Sequence, residues 1–222
     1  LAAVRPTPSM RRTMHRQSVP VALQLGMETG AFTASCIMAG WLGVMELAAH
    51  QVVITISQLF FLMMQGLSFA ISILVANSYG KKDYYGVKEY VRKGYLMMLT
   101  VSASLSVLLY VFRYPAAGIF TDSPEVASMA VSLFFFLFAY QFGDALQLCF
   151  ANVLRGLQDV KPIMYAAFVS YYVIAIPVAY YLGFHAHFGL QGIWTGFPVG
   201  LTLAGIFFFA CYRRDIRRLE RG

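Results

Sequence analysis

The sequence predicts an all-α integral membrane protein, six transmembrane helices packed as one bundle. Hydrophobic residues make up 59% of the chain and charged residues 12%, against roughly 25% charge in a soluble domain. The charges that remain sit in short blocks. Between the blocks lie runs that exceed the roughly 20 apolar residues a bilayer crossing needs. Lipid offers no hydrogen-bond partners, so runs this apolar cross as helices that satisfy their own backbone.

Taken in order, residues 17–45 hold a single charge, Glu28, and predict a first helix over 19–41. Residues 47–80 hold no Asp, Glu, Lys or Arg and predict a second over 50–78, long enough to tilt or to begin with an interfacial turn. Residues 94–112 predict a third. Residues 126–154, charged only at Asp144, predict a fourth, with Ser123 as its cap, Pro124 at its first position and Glu125 in its first turn. The uncharged run 162–212 is divided by GFHAHFGLQG (183–192) into helices over 162–183 and 190–212. Residues 1–17 form a basic segment, 18–212 the bundle and 213–222 a basic tail. The loops are YGKKDYYG (79–86), RYPAAGIFTDSPE (113–125) and RGLQDVKP (155–162). A start at Leu1, in a polar and basic stretch, predicts a piece of a longer protein.

With a cytoplasmic N-terminus, every Lys and Arg of the 17 except Arg113 falls on the cytoplasmic side. The positive-inside rule therefore predicts a multi-pass protein of the inner (plasma) membrane with both termini cytoplasmic. The same block distribution argues against nucleic-acid binding despite the net charge of +7. Cys36, Cys149 and Cys211 fall inside apolar runs and form no disulfide or metal pattern. The pair His185 and His187 lacks an identifiable third ligand and reads as an interfacial loop. Arg155 and Asp159, four apart, read as an ion pair. No phosphate-binding loop, nucleophile elbow or zinc-binding helix motif is present, so no enzymatic activity is expected.

Two acids stand out by depth. Glu28 lies about 18 Å along its helix from Arg16, and Asp144 about 16 Å along its own from Arg155. The two helices run in opposite directions, so both acids fall near the midplane of a ~30 Å core. A charge at that depth costs about 3 kcal/mol on insertion scales, and no Lys or Arg lies within a span interior to offset it. The acids are expected to be protonated or to hold a cation from solution, which makes a site that can be loaded and emptied. Tyr140 is one turn before Asp144, Gln147 nearly one turn after it, and Gln24 one turn before Glu28, oxygen donors that suit a hard cation. The competing reading is a helix-packing network. On the second helix Gln51, Thr55, Gln58, Gln65 and Ser72 share one face, interrupted at Leu62. That face lines a wet cavity or meets another helix, and His50 begins it as a pH-sensitive group.

The stretches PVALQLGME (20–28), GVMELAAHQ (43–51), ANSYGKKD (76–83), YQFGDALQ (140–147) and VLRGLQD (153–159), in that order and spacing, resemble the multidrug and toxic compound extrusion (MATE) family. The likeness is to the C-terminal six-helix half of a NorM-type member. It implies one bundle of a 12-helix fold, with an N-terminal six-helix bundle outside this chain and a cleft between the two that opens alternately to each side. It also implies export of small organic cations and amphipathic drugs in exchange for Na⁺ or H⁺, and no cofactor beyond that ion. The family's cation site, carried over, corresponds to Glu28, Tyr140 and Asp144. Gln24, Gln51, Thr55, Gln58, Gln65 and Gln147 are the candidates for the substrate cavity, with membrane lipid around the bundle. Two alternatives stand beside this: a lipid-linked oligosaccharide flippase, whose cavity would need basic residues for pyrophosphate, and a non-transporting membrane scaffold.

Overall fold

The computed structural model describes residues 8–221, and every regular element among them is helical. Helix α1 (Pro8–Leu42) turns back into α2 (Val44–Gly80) through the single residue Gly43. A Cβ at Gly43 would run into the Glu46 carboxylate, so glycine permits this one-residue hairpin. At 37 residues α2 is about 55 Å long. It exceeds the core thickness and takes in residues 44–49, which precede the expected start at residue 50.

Helix α3 (Tyr84–Val111) also starts earlier than expected. The Asp83 side chain caps it by accepting from the Gly86 N–H at 2.9 Å. Glu89 and Lys93, one turn apart, pair at 2.6 Å on its surface, and residues 84–86 of the expected loop 79–86 belong to the helix. The expected loop 113–125 contains a short helix, α4 (Arg113–Gly118). There Arg113 donates to the Tyr110 carbonyl and lies over the Tyr110 ring, 4.7 Å from its centroid.

The predicted fourth span is two helices, α5 (Pro124–Ser132) and α6 (Phe134–Gly156). Ser123, Pro124 and Glu125 occupy the cap, first position and first turn as expected. At the buried Leu133 the backbone tightens to an i→i−3 hydrogen bond with Ala130, which re-aims the chain between them. The fifth rod, Lys161–His185, is continuous but changes pitch. It comprises α7 (Lys161–Ala167), a π-helical stretch Phe168–Ala175, α8 (Ile176–Tyr180) and a second π-helical stretch Tyr181–His185. Pro177 cannot donate a backbone hydrogen bond, and the widened turn precedes it, with the Ile176 N–H reaching the Tyr171 carbonyl. Helix α9 (Gly189–Arg221) continues through the arginine tail.

Five of these rods are long and apolar enough to cross a membrane: Val44–Gly80, Tyr84–Val111, Phe134–Gly156, Lys161–His185 and Gly189–Glu220. The sixth, α1, is long enough at 35 residues but carries Gln24, Glu28, Thr29, Thr33 and Ser35 along its middle. The rod expected to be the first span is thus the polar one. The outer surface is apolar, unlike that of a water-soluble fold. Large apolar side chains such as Leu62, Ile73, Val107 and Phe207 are exposed, whereas Gln24, Glu28, His50, Asp144 and Asn152 are buried.

Two large apolar clusters fill most of the interior, beside a small one of Met38, Ala179 and Ile193. One, toward the basic end, holds Met64, Met98, Leu154 and Phe208; the other holds Leu133, Phe134, Leu137, Tyr140, Tyr171 and Trp194. Asp144 follows Tyr140 of the second cluster and precedes Ala145 of the first, so it sits at their seam. Helices α6 and α9 approach closely there. A Cβ at Gly143 would stand 3.3 Å from the Thr202 backbone nitrogen, and one at Gly205 would stand 2.9 Å from that of Gln147. Small residues at a helix crossing are how membrane helices gain contact without a hydrophobic driving force.

At the basic end Asp159 pairs with Arg214 at 2.8 Å, not with Arg155 as the four-residue spacing predicted. The turn after α6 carries Gln158 at φ 63°, which breaks the helical register that pairing needs. Burial, with the neighbouring Asp215 carboxyl, pushes Asp159 above the usual carboxylate range, and Arg214 opposes the shift. Lys88 of α3 and Glu220 of α9 form another ion pair at this end. Of the basic segment 1–17, residues 1–7, Arg5 among them, lie outside the described residues.

Candidate functional site

Helix α1 presents Glu28 to the bundle interior, 8% exposed, and α6 presents Asp144, 3% exposed. The two carboxyls lie within Coulombic reach of each other. Tyr140, one turn before Asp144, is buried among aromatic rings: Phe32 of α1 packs edge-on at 6.4 Å, and Trp194 and Phe197 of α9 lie at 6.5 and 6.2 Å. Glu28 and Tyr140 both line a cavity of about 260 Å³, whose polar lining otherwise comes from Thr29, Ser57 and Gln58. Asp144 is not part of this lining, and its Oδ1 is buried with no hydrogen-bond partner among the described residues.

The structure adds a residue that sequence reading did not single out. Tyr171, in the first π-helical stretch, is buried with its hydroxyl unpartnered and lies within Coulombic reach of Glu28, Asp144 and Tyr140. It sits in an uncharged run with no spacing signal relative to α1 or α6. Only the fold brings it to the acids.

Gln24 is 1% exposed. Its Nε2 donates to Glu28 Oε2 at 2.9 Å, and its Oε1 accepts from Arg155 Nη2 at 2.6 Å. Arg155 Nη1 also donates to Asn152 Oδ1 at 3.2 Å, and Asn152 Nδ2 donates to Ser68 Oγ at 3.0 Å. The expectation that no base approaches the acids is therefore corrected. The long side chain of Arg155, in the last turn of α6, reaches inward to the partner of Glu28. Asp144 takes no part in this chain of contacts.

The remaining polar candidates separate. On α2, Gln58 lines the Glu28 cavity, while Gln51 and Thr55 are exposed nearer the Gly43 end. Gln51 Nε2 donates to Cys36 Sγ at 3.3 Å, and Thr55 Oγ1 donates to the Gln51 carbonyl at 2.8 Å. Gln65 and Ser72 are half-buried, and the Gln65 Oε1 is buried without a partner. Gln147 is buried with both amide atoms unpartnered, away from the cavity lining. His50 turns inward from this row. The Trp194 indole N–H donates to its Nδ1 at 3.0 Å, so the ring proton sits on Nε2, facing Ser35 Oγ at 3.4 Å. His50 is thus a neutral tie between α1, α2 and α9. Among the described residues no three His, Cys, Asp or Glu side chains gather as metal ligands. His185 stacks on Tyr181, and His187 takes φ 58° in the turn before α9. Two carboxyls with neutral oxygens around them suit a proton or a monovalent hard cation better than a chelated transition metal.

The profile of the MatE family matches residues 20–181, most of the chain and both acids included. The chain belongs to the MatE family. It is 33% identical over 207 residues to a probable multidrug resistance protein NorM of Xanthomonas campestris pv. campestris, covering 93% of this chain and 45% of that protein. To the multidrug resistance protein NorM of Aliivibrio fischeri it is 34% identical over 197 residues, covering 87% and 43%. This MatE chain therefore spans just under half the length of these relatives. Among solved structures, a MATE protein in the straight conformation superposes with a TM-score of 0.90 at 16% identity, covering 98% of this chain and 49% of the other. A eukaryotic MATE transporter superposes with a TM-score of 0.87 at 20% identity, covering 98% and 51%. These structures establish the bundle as one half of the MATE fold.

Proposed function

We propose that this bundle is the C-terminal half of a cation-coupled antiporter that exports small organic cations and amphipathic drugs by alternating access. It would lie in the cell's inner membrane with both termini cytoplasmic. The observation that carries the proposal is two carboxyls buried in one bundle, Glu28 in a cavity with Tyr140 and Asp144 one turn from Tyr140, with an Asp144 oxygen that has no partner among the described residues. Burying a carboxylate without a partner is expensive, so Asp144 is stable only when neutralised. Protons or Na⁺ ions arriving from outside, one for each carboxyl that is ionised, neutralise Asp144 and Glu28, with the Tyr140 hydroxyl beside them. The loaded bundle favours one opening of the cleft, the empty bundle the other, and the drug leaves on the swing between them. Ion and drug then bias each other's binding reciprocally.

The Glu28 cavity, about 260 Å³, falls below the ~300–1,000 Å³ typical of drug-sized pockets. It suits an ion and its water. A drug site is completed by the other bundle, across the exposed Gln51, Thr55 and Gln58 row. A flippase reading lacks the basic cavity wall that pyrophosphate needs, since the base nearest the acids, Arg155, is tied to Gln24 and Asn152.

The test is transport by the full-length protein in proteoliposomes. A Na⁺ gradient and a pH gradient are imposed separately while a fluorescent cationic dye is followed. One gradient is expected to drive the dye against its own concentration. Dye movement indifferent to both gradients would overturn the assignment.

A further inference from the structure

We infer that Arg155 and Gln24 form a positioning relay that sets the cation affinity of Glu28, an inference that rests on the coupling-site reading above. An arginine side chain can only donate hydrogen bonds, and an ionised carboxylate can only accept them. Gln24 stands between one of each. Its carbonyl oxygen accepts from Arg155 at 2.6 Å and its amide nitrogen donates to Glu28 at 2.9 Å. Both neighbours fix the same orientation of the Gln24 amide, so its dipole carries the influence of the Arg155 charge to the carboxylate. Gln24 is 1% exposed, so water screens the Gln24–Glu28 end of the link little, while Arg155 itself is half-buried.

The other end of the relay is anchored. Arg155 Nη1 is held by Asn152, one turn back on α6, and Asn152 is held by Ser68 of α2. The guanidinium therefore approaches α1 from a fixed point, as a preorganised partner that waits for a charge on Glu28. When Glu28 is empty and ionised, the relay stabilises it. When a cation or proton arrives, it must compete with that stabilisation. The relay thus keeps the site from holding its ion too tightly to release it, which an antiporter needs once per cycle.

The asymmetry between the acids supports this role. Asp144 Oδ1 is unpartnered, whereas Glu28 has the relay. The titratable groups within Coulombic reach of Glu28 from the elements around it are Asp144 and Tyr140 of α6, Tyr171 of the fifth rod, and Arg155 itself. From α2 the cavity receives only the neutral Ser57 and Gln58 as polar groups. Arg155 is the one cation among these.

The experiment measures dye transport by the reconstituted full-length protein as a function of the driving cation, Na⁺ or H⁺, in wild type, Arg155→Met, Arg155→Lys and Gln24→Met. Gln24→Met leaves the Arg155–Asn152 contact in place, so it breaks the relay without freeing the guanidinium. The relay predicts that Arg155→Met and Gln24→Met lower the half-saturating cation concentration at least about threefold. That is less than the tenfold or more of a direct ion pair at ~4–6 Å. Arg155→Lys, which keeps the charge, is expected to fall between them and wild type. If Arg155→Met does not fold, Gln24→Met decides. A coupled wild type with an unmoved half-saturation in a folded Gln24→Met protein would overturn the relay and leave Arg155 as a helix tie. A wild type driven by neither gradient would instead sink the coupling reading itself.

Discussion

Asp144→Asn in the full-length protein leaves a folded transporter that no imposed gradient can drive. The expected fall in initial gradient-driven dye transport is at least about tenfold, equivalent to roughly 1.4 kcal/mol of lost drive. The substitution is nearly isosteric. The carboxyl it replaces makes no salt bridge, and its Oδ1 has no hydrogen-bond partner to lose. No buried base is orphaned either, since Arg155 is held by Gln24 and Asn152. Asparagine is neutral, as the loaded Asp144 is, and cannot ionise, so the variant avoids the cost of an unpartnered buried carboxylate in the empty state. Thermal unfolding of the purified variant should therefore match or exceed wild type while coupling disappears. A loss of folded protein that parallels the loss of transport would mean that Asp144 holds helices together.

Gly205→Val is expected to cost the fold much of its stability at the α6–α9 crossing. A Cβ at Gly205 would stand 2.7 Å from Leu146 Cγ and 2.9 Å from the Gln147 backbone nitrogen. The leucine can rotate away, but the backbone of α6 cannot, so the branched side chain must push α6 and α9 apart. Overpacking of this kind costs about 1–3 kcal/mol. That exceeds the ~1 kcal/mol that a helix gains when alanine replaces glycine, so even Gly205→Ala should destabilise. Gly66 is the control, with nothing within 4 Å of a Cβ, and there Gly66→Ala should be neutral or stabilising. Unfolding midpoints in detergent compare the three variants. The wedge also displaces the α6 turn that carries Asp144 and Gln147, so coupling should weaken in the fraction that stays folded.

The helices and their order were legible because lipid leaves few options for a long uncharged run. Their ends were not, because charge was read as the end of a span. Tyr84–Lys93 and Arg213–Arg221 are helical, held by the Asp83 cap, the Glu89–Lys93 pair and the Lys88–Glu220 pair. The break at Leu133 has neither proline nor glycine to announce it. At the site, depth counting brought Glu28 and Asp144 to one level, and helical spacing placed Tyr140 beside Asp144. Linear spacing failed for Arg155. The Gln158 turn removed Asp159 from its reach, and a flexible side chain chose Gln24 on another helix. Tyr171 was invisible for a similar reason, since nothing in a uniform run marks which tyrosine is buried in the cluster that holds Tyr140. The α2 row was readable as a face, but which of its members meets the cavity depended on how α1 packs, and Gln58 alone lines it.

The central claim is that two buried acids form a cation site that fills and empties. Equilibrium binding of the driving cation to the purified full-length protein tests it most directly, as ²²Na⁺ binding or as proton release on addition of a cationic drug. The account predicts saturable binding that the drug displaces and that is lost in both Glu28→Gln and Asp144→Asn. Binding that survives both substitutions unchanged would contradict it and would place the coupling group outside this bundle.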